Sequence, residues 1–261
     1  MIDPFAKPLN QRLQHDLRSS GGQAASLAPD VLLGDSTRGV RLLLEYTKVE
    51  EALRASGIGS TIVVFGSARV HASGPEWHKV WYQQTRTFAR IASERGGALQ
   101  IQDGSRENVI ATGGGPGLME AANRGAHEAG APSIGFNIGL PLEQKANQSS
   151  SPELTFRFHY FAIRKLHLAM RANALVVFPG GFGTLDELFE LLTLKQTGKA
   201  APIPILLFDE DYWRKVLNFD HLLNMGMVDE HDLSIFQYAS EPEMAWSLLE
   251  GHLLSPHADA R

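Results

Sequence analysis

The residues best suited to chemistry stand together in FPGGFGTLDELFE, Phe178 to Glu190. Three glycines and a proline take four of the six positions of PGGFGT, and two carboxylates, Asp186 and Glu187, follow closely. A glycine turn that opens a helix invites an anion, because unpaired backbone N–H groups and the positive end of the helix dipole point outward there. Phosphate is the natural guest, and a carboxylate beside it is useful only if it faces another part of the ligand. Near a sugar phosphate it can stabilise an oxocarbenium-like transition state or orient water. A plainer reading exists for one acid. Thr184 and Glu187 fit a capping box on a helix from Thr184 to about Gln196, and Asp186 gains from the same dipole.

A second charged group lies upstream in FAIRKLHLAMRANA, residues 161 to 174, with Arg164 and Lys165 adjacent and Arg171 two turns from Arg164. Solvated surface accounts for any one of them. Arg164, however, falls early in a helix, where positive charge opposes the dipole, so an anionic partner explains its placement.

These residues need a scaffold, and the pattern from Thr61 onward supplies one. Short β-branched runs (TIVVFG, NVIATGGG, PSIGFNI, FRFHY, ALVVFPG, PIPILLFD) alternate with helical spacing over Glu76 to Arg95, Leu118 to Ala129, Phe161 to Asn173 and Thr184 to Gln196. Such alternation predicts a doubly wound, Rossmann-like α/β fold, a parallel sheet with helices on both faces, plus N- and C-terminal helical extensions. Ligands bind such sheets at the carboxyl ends of the strands. Three strand-end loops are rich in small residues: GSAR (66–69), TGGGPG (112–117) and PGGFGT (179–184). Any one of them is an ordinary tight turn; three at equivalent positions predict a pocket for a phosphorylated small molecule. None matches GxxxxGK[ST] or GxGxxG with a later acid, which sets ATP hydrolysis and NAD aside.

Residues 1–35 read as a flexible arm and 36–261 as one nucleotide-binding catalytic domain. Thr37 to Ser56 has helical spacing, Leu140 to Glu153 reads as a surface loop, and helices are expected over Tyr212 to Leu217, Phe219 to Met225 and Pro242 to Leu253. Hydrophobic residues make up 43% and charged residues 20%, the balance of a globular chain. No apolar run approaches the ~20 residues of a spanning helix, and the N-terminus offers no signal-peptide core, so the cytoplasm is the expected compartment. The absence of cysteine excludes disulfides, thiolate nucleophiles and sulfur-bound metals. A net charge of −5 gives no global attraction to nucleic acid or an anionic membrane. The ten histidines are scattered without HExxH, so no metal site is read, and GxSxG is absent.

TGGGPGLMEAAN (112–123), FAIRK (161–165) and FPGGFGTLDELFELLTLKQTGK (178–199) resemble the Lonely Guy family of cytokinin-activating phosphoribohydrolases, which often carry a lysine decarboxylase label. The signature PGGxGTxxE is complete over Pro179 to Glu187, and the likeness runs from about Thr61 to Asp209. The resemblance implies hydrolysis of the N-glycosidic bond in a purine nucleoside 5′-monophosphate, giving free base and ribose 5-phosphate, without a cofactor. It places the catalytic pair on Arg164 and Glu187. Gly180, Gly181, Gly183 and Thr184 then hold the 5′-phosphate with Gly114 and Gly115, Ser67 and Lys165 join in binding the substrate, and Glu120 and Asp186 are further acids to consider. It implies a homodimer as well, with Arg164's helix near the interface. The chain is longer than compact plant-type members and carries GSAR where those have a serine- and glycine-rich loop, which likens it to the longer bacterial branch. An N6-modified adenine nucleotide is the substrate the resemblance puts first. Turnover of AMP and a non-catalytic nucleotide sensor are the alternatives.

Overall fold

The computed structural model describes residues 28–139 and 147–254. The expected arm, 1–35, lies outside the described residues as far as 27, and the expected loop, 140–153, as far as 146. The chain divides into two units, Met1–Lys48 and Val49–Arg261. In the smaller one, α1 (Pro29–Leu33) leads through a 3₁₀ turn, Asp35–Thr37, into α2 (Arg38–Ala55). Arg41 Nη1 holds that turn by donating to the Leu32 and Gly34 carbonyls, both at 2.7 Å. In the larger unit, Val49 and Leu53 are core residues.

The larger unit is built on a seven-stranded parallel sheet: β1 (Thr61–Phe65), β2 (Val109–Thr112), β3 (Ser133–Ile138), β4 (Thr155–Phe158), β5 (Ala172–Val177), β6 (Ile205–Phe208) and β7 (Gln237–Ala239). Their order is β4-β3-β2-β1-β5-β6-β7. Between them run α3 (Glu76–Arg95), α4 (Leu118–Glu128), α5 (Phe161–Met170), α6 (Phe182–Gln196), α7 (Glu210–Val216), α8 (Phe219–Asn224) and α9 (Glu230–Leu233), and α10 (Pro242–Leu253) follows β7. Both faces of the sheet are covered, which is why β1, β2 and β6 are buried along their whole length rather than alternating with exposed polar residues. Side chains still alternate between faces. Val63, Phe65, Leu175, Val177 and Leu207 join one core, and Ile62, Val64, Val176, Leu206 and Phe208 join the other with Phe88 of α3 and Trp246 of α10.

Three departures from the sequence reading have local causes. α5 stops at Met170, not Asn173, because Ala172–Val177 pairs with β1 and the ladder claims those residues. β7 reads as nothing from its sequence, Gln-Tyr-Ala, yet Leu206 to Phe208 offer it a free edge. α7 begins two residues earlier than expected, at Glu210, because the Asp209 carboxylate accepts from Tyr212 N at 3.1 Å and so caps the first turn.

From β1 the chain steps to β2, β3 and β4 on one side and then returns to β5 on the other. The crevice of a doubly wound sheet opens at that reversal, above the carboxyl ends of β1 and β5. Among the described residues no helix is long and apolar enough to cross a membrane.

Candidate functional site

Ser67 ties the three glycine-rich loops together through its main chain. Its N–H donates to the Pro179 carbonyl and its carbonyl accepts from Leu118 N, both at 3.0 Å. Gly117, at φ 74°, is required twice over: its backbone is left-handed, and a Cβ there would meet the Ser67 carbonyl. Beneath TGGGPG a buried polar network fixes the loop. Thr112 Oγ1 accepts from Gly114 N at 2.9 Å and donates to Asn123 Oδ1 at 2.7 Å. Asn123 Nδ2 donates to Ser133 Oγ at 3.0 Å and to the Ile134 carbonyl at 3.2 Å. Asn147 Nδ2 donates to the Gly115 carbonyl and to Asn123 Oδ1, both at 3.0 Å. Gly114 and Gly115 are therefore held by their own carbonyls, and the Gly114 amide is already spent on Thr112.

The start of α6 corrects the capping-box reading. The helix begins at Phe182 with Gly181 as its cap and no side-chain cap at all, so Thr184 and Glu187 lie inside it. Thr184 N and Leu185 N both donate to the Gly181 carbonyl, at 3.0 and 2.9 Å. The amides of Gly181, Phe182 and Gly183 have no hydrogen-bond partner among the described residues. Three unpaired amides at a helix start are an arrangement that suits an anion. Thr184 is packed so closely on Gly180 that a Cβ there would meet its Oγ1 and stand 2.6 Å from its own Cβ, so only glycine fits.

Arg164 and Glu187 meet across α5 and α6. Both are buried, 8% and 5% exposed, which rules out solvated surface for Arg164. Arg164 Nε donates to the Phe136 carbonyl at 2.9 Å, its Nη1 stands 3.9 Å from Glu187 Oε1, and its Nη2 is 2.5 Å from where a Cβ on Gly113 would stand. The guanidinium thus joins the TGGGPG loop to the α6 carboxylate. Burial pushes the Glu187 carboxyl above the usual carboxylate range, with Arg164 and Lys165 pulling it down and Glu190 and Asp186 adding to the rise. Burial likewise pulls Arg164 below its ordinary value, against Glu187 and Asp186, though a guanidinium keeps its proton throughout. Each partner is displaced toward neutrality. At 3.9 Å their attraction does not offset the loss of water.

Lys165 stands among the carboxylates of α6. Its Nζ is 2.7 Å from Glu190 Oε2, 3.0 Å from Asp186 Oδ2 and 3.6 Å from Glu187 Oε2. Burial works to lower its ammonium, and Glu190 and Asp186, with Glu187, outweigh that and hold it above its usual value. Lys165 therefore neutralises the acidic face of α6. Asp186 belongs to that ion cluster, with its side chain 57% exposed. Ser67 Oγ accepts from Arg69 N at 3.1 Å. Glu120 sits in the first turn of α4, half-buried, where its charge adds to the rise that burial gives the Tyr82 hydroxyl. Arg171 pairs in bidentate fashion with Glu50, both contacts at 2.8 Å, and plays no part in the crevice.

Sequence reasoning passed over Asn123, Asn147 and Tyr212. Asn123 ends the quoted stretch TGGGPGLMEAAN, and its helical spacing from the loop was the available signal. Tyr212 donates its hydroxyl proton to the Gly180 carbonyl at 2.8 Å, a contact that leaves no local pattern.

A family model described as "Possible lysine decarboxylase" matches residues 119–249. Among curated proteins, the probable cytokinin riboside 5′-monophosphate phosphoribohydrolase LOG4 of Oryza sativa subsp. japonica is 28% identical over 135 residues, 51% of this chain and 57% of that protein. The cytokinin riboside 5′-monophosphate phosphoribohydrolase LOG7 of Arabidopsis thaliana is 29% identical over 127 residues, 47% of this chain and 57% of that protein. The chain thus spans a little over half the length of these relatives. Among solved structures, the molybdenum cofactor binding protein from Rippkaea orientalis superposes with a TM-score of 0.51 at 19% identity, covering 74% of this chain and 96% of its own. A structural-genomics target superposes at 0.53 and 21% identity, covering 74% and 99%. Those two likenesses speak to the fold. With the matched segment taking in half of the chain, and with it both FAIRK and PGGFGTLDE, the chain belongs to the Lonely Guy family, the family that this lysine decarboxylase description covers.

Proposed function

We propose that the chain is a phosphoribohydrolase that cleaves the N-glycosidic bond of a purine nucleoside 5′-monophosphate, giving free base and ribose 5-phosphate. The observation that carries this reading is the buried Glu187 carboxylate, loosely paired with Arg164, one helical turn beyond the outward amides of α6. The 5′-phosphate sits on the Gly181, Phe182 and Gly183 amides, with Thr184 and the Gly115 amide beside it. One turn is about 5.4 Å, a separation that sets the ribose against Glu187.

In the reaction the bond between the anomeric carbon and the base nitrogen breaks, and its electron pair leaves with the base. Positive charge develops on the ribose ring, where the ionised Glu187 stabilises it. Water adds to the anomeric carbon and gives up a proton, Glu187 being the acceptor in reach, and the base takes up a proton in turn. Arg164 is aimed by its bond to the Phe136 carbonyl, so its two Nη groups are left to orient the substrate. A non-catalytic sensor would use Glu187 as a helix cap, and Gly181 fills that place instead.

The names of the curated relatives favour a cytokinin riboside 5′-monophosphate, in which the adenine carries an N6 substituent. We propose also that the chain works as a homodimer through the exposed apolar side chains Phe161, Leu166 and Met170 of α5 and Phe182 and Phe189 of α6, which flank the site. The test of substrate class is release of base from AMP, isopentenyladenosine monophosphate and the matching nucleosides. Cleavage of the monophosphates with the nucleosides untouched supports the reading, faster release from the N6-modified nucleotide selects the cytokinin type, and equal cleavage of nucleosides contradicts a site built on phosphate.

A further inference from the structure

We propose that Tyr212 is a positioning residue that sets the direction of a phosphate-binding amide at the start of α6; this rests on the reading of that helix start as the phosphate site. Its hydroxyl donates to the Gly180 carbonyl at 2.8 Å. The described residues contain no cis peptide, so the Gly180 carbonyl and the Gly181 N–H point in opposite directions across their shared plane. With the carbonyl held toward α7, the Gly181 N–H is turned away from Tyr212, and it has no hydrogen-bond partner among the described residues. A glycine pair has little intrinsic resistance to a flip of that plane. A fixed donor from outside the loop supplies it.

Tyr212 is itself held from several sides. Its N–H donates to Asp209 Oδ1 at 3.1 Å, and the other oxygen, Oδ2, accepts from Trp81 Nε1 at 2.8 Å. The Trp81 and Trp213 rings meet Tyr212 edge to face, at 5.5 and 5.2 Å between centroids. Asp209 adopts φ 74°, a left-handed conformation that a non-glycine residue keeps only when its surroundings enforce it. Trp81 lies on α3, beyond the β1 loop, so three strand ends converge on one carbonyl of the phosphate loop. Burial raises the Tyr212 hydroxyl above its ordinary value and Asp209 adds to the rise, so it remains a donor across the neutral range. Its proton is committed to the main chain, which separates it from the groups that touch the substrate.

The test is calorimetric titration of the full chain and of Tyr212→Phe with ribose 5-phosphate, together with the backbone amide resonance of Gly181 in the free protein. Loss of one hydrogen bond that orients one amide predicts affinity weakened about fivefold to tenfold, a displaced Gly181 resonance, and with a cleavable nucleotide a rise in KM at nearly constant kcat. Should Tyr212→Phe fail to fold, Trp81→Phe frees Asp209 and is expected to weaken binding in the same direction by a smaller factor. Unchanged affinity with an unmoved Gly181 resonance overturns the assignment while leaving the phosphate site standing. A wild type that binds no ribose 5-phosphate removes the phosphate site and this proposal together.

Discussion

Glu187 is both the group the proposed chemistry needs and a group whose charge burial disfavours. Its carboxyl is raised by burial above the value it has in the unfolded chain. A raised pKa contributes stability that is fully present below the unfolded value and is lost as pH rises through the folded one, so at neutral pH the ionised form weighs against the folded state. Glu187→Gln is therefore expected to melt at the same or a higher temperature at pH 7 while losing base release by at least about 100-fold; a lower melting temperature in calorimetry contradicts this. The same displacement sets the acid limb of kcat/KM above the ordinary glutamate range, since Glu187 must be ionised to act. Arg164 holds that carboxyl down. Residual activity in Arg164→Ala is expected to be low, with its acid limb moved to still higher pH; an unmoved limb separates Arg164 from Glu187. Both residues were legible in the sequence because their motifs are contiguous, whereas Tyr212 acts on a carbonyl 32 positions away.

The elements were legible to different degrees, for reasons that particular residues make clear. Strands β1, β2, β5 and β6 announce themselves as apolar runs because the sheet is covered on both faces. The first turn of α6 misleads, because Thr184 and Glu187 spell a capping box while the Gly180–Gly181 turn lets Phe182 start the helix earlier. β7 is silent because its three residues become a strand only against β6. The link between α2 and the β5 end of α5 is also unreadable, since Glu50 and Arg171 stand 121 positions apart. There the Arg171 guanidinium, bonded to both carboxylate oxygens, overcomes the cost of burial and with Arg54 lowers Glu50 from 4.5 to about 2. A depressed pKa gives stability that is present above the unfolded value and lost as pH falls through the folded one, here from about 4.5 down to about 2. Arg171→Ala, which leaves the buried Glu50 carboxylate only Arg54 as a partner, is expected to cost about 1.5 to 3 kcal/mol at pH 7. In Glu50→Gln the loss of stability over that acid window shrinks in denaturant titrations; an unaltered acid profile removes the pair from the account.

At the scale of the whole molecule, the reversal of strand order at β1 and β5 brings the three glycine-rich loops together, and the exposed apolar side chains of α5 and α6 lie beside them. The proposed dimer predicts twice the chain mass in light scattering, reduced to a single chain by Phe161→Glu with Phe182→Glu. Monomeric wild type contradicts it. The fold class was readable because strand and helix alternate regularly; the exposure of Phe182 was not, since an exposed phenylalanine differs from a buried one only in the folded chain. The central claim, that Glu187 drives cleavage of a nucleotide whose phosphate rests on α6, is tested most directly by chromatographic detection of free base from purine nucleoside 5′-monophosphates with wild type and Glu187→Gln, both first shown to bind ribose 5-phosphate. The account predicts base release by the wild type and none above background by the variant. No release from any of the nucleotides, or equal release by a variant that binds as well as the wild type, contradicts it.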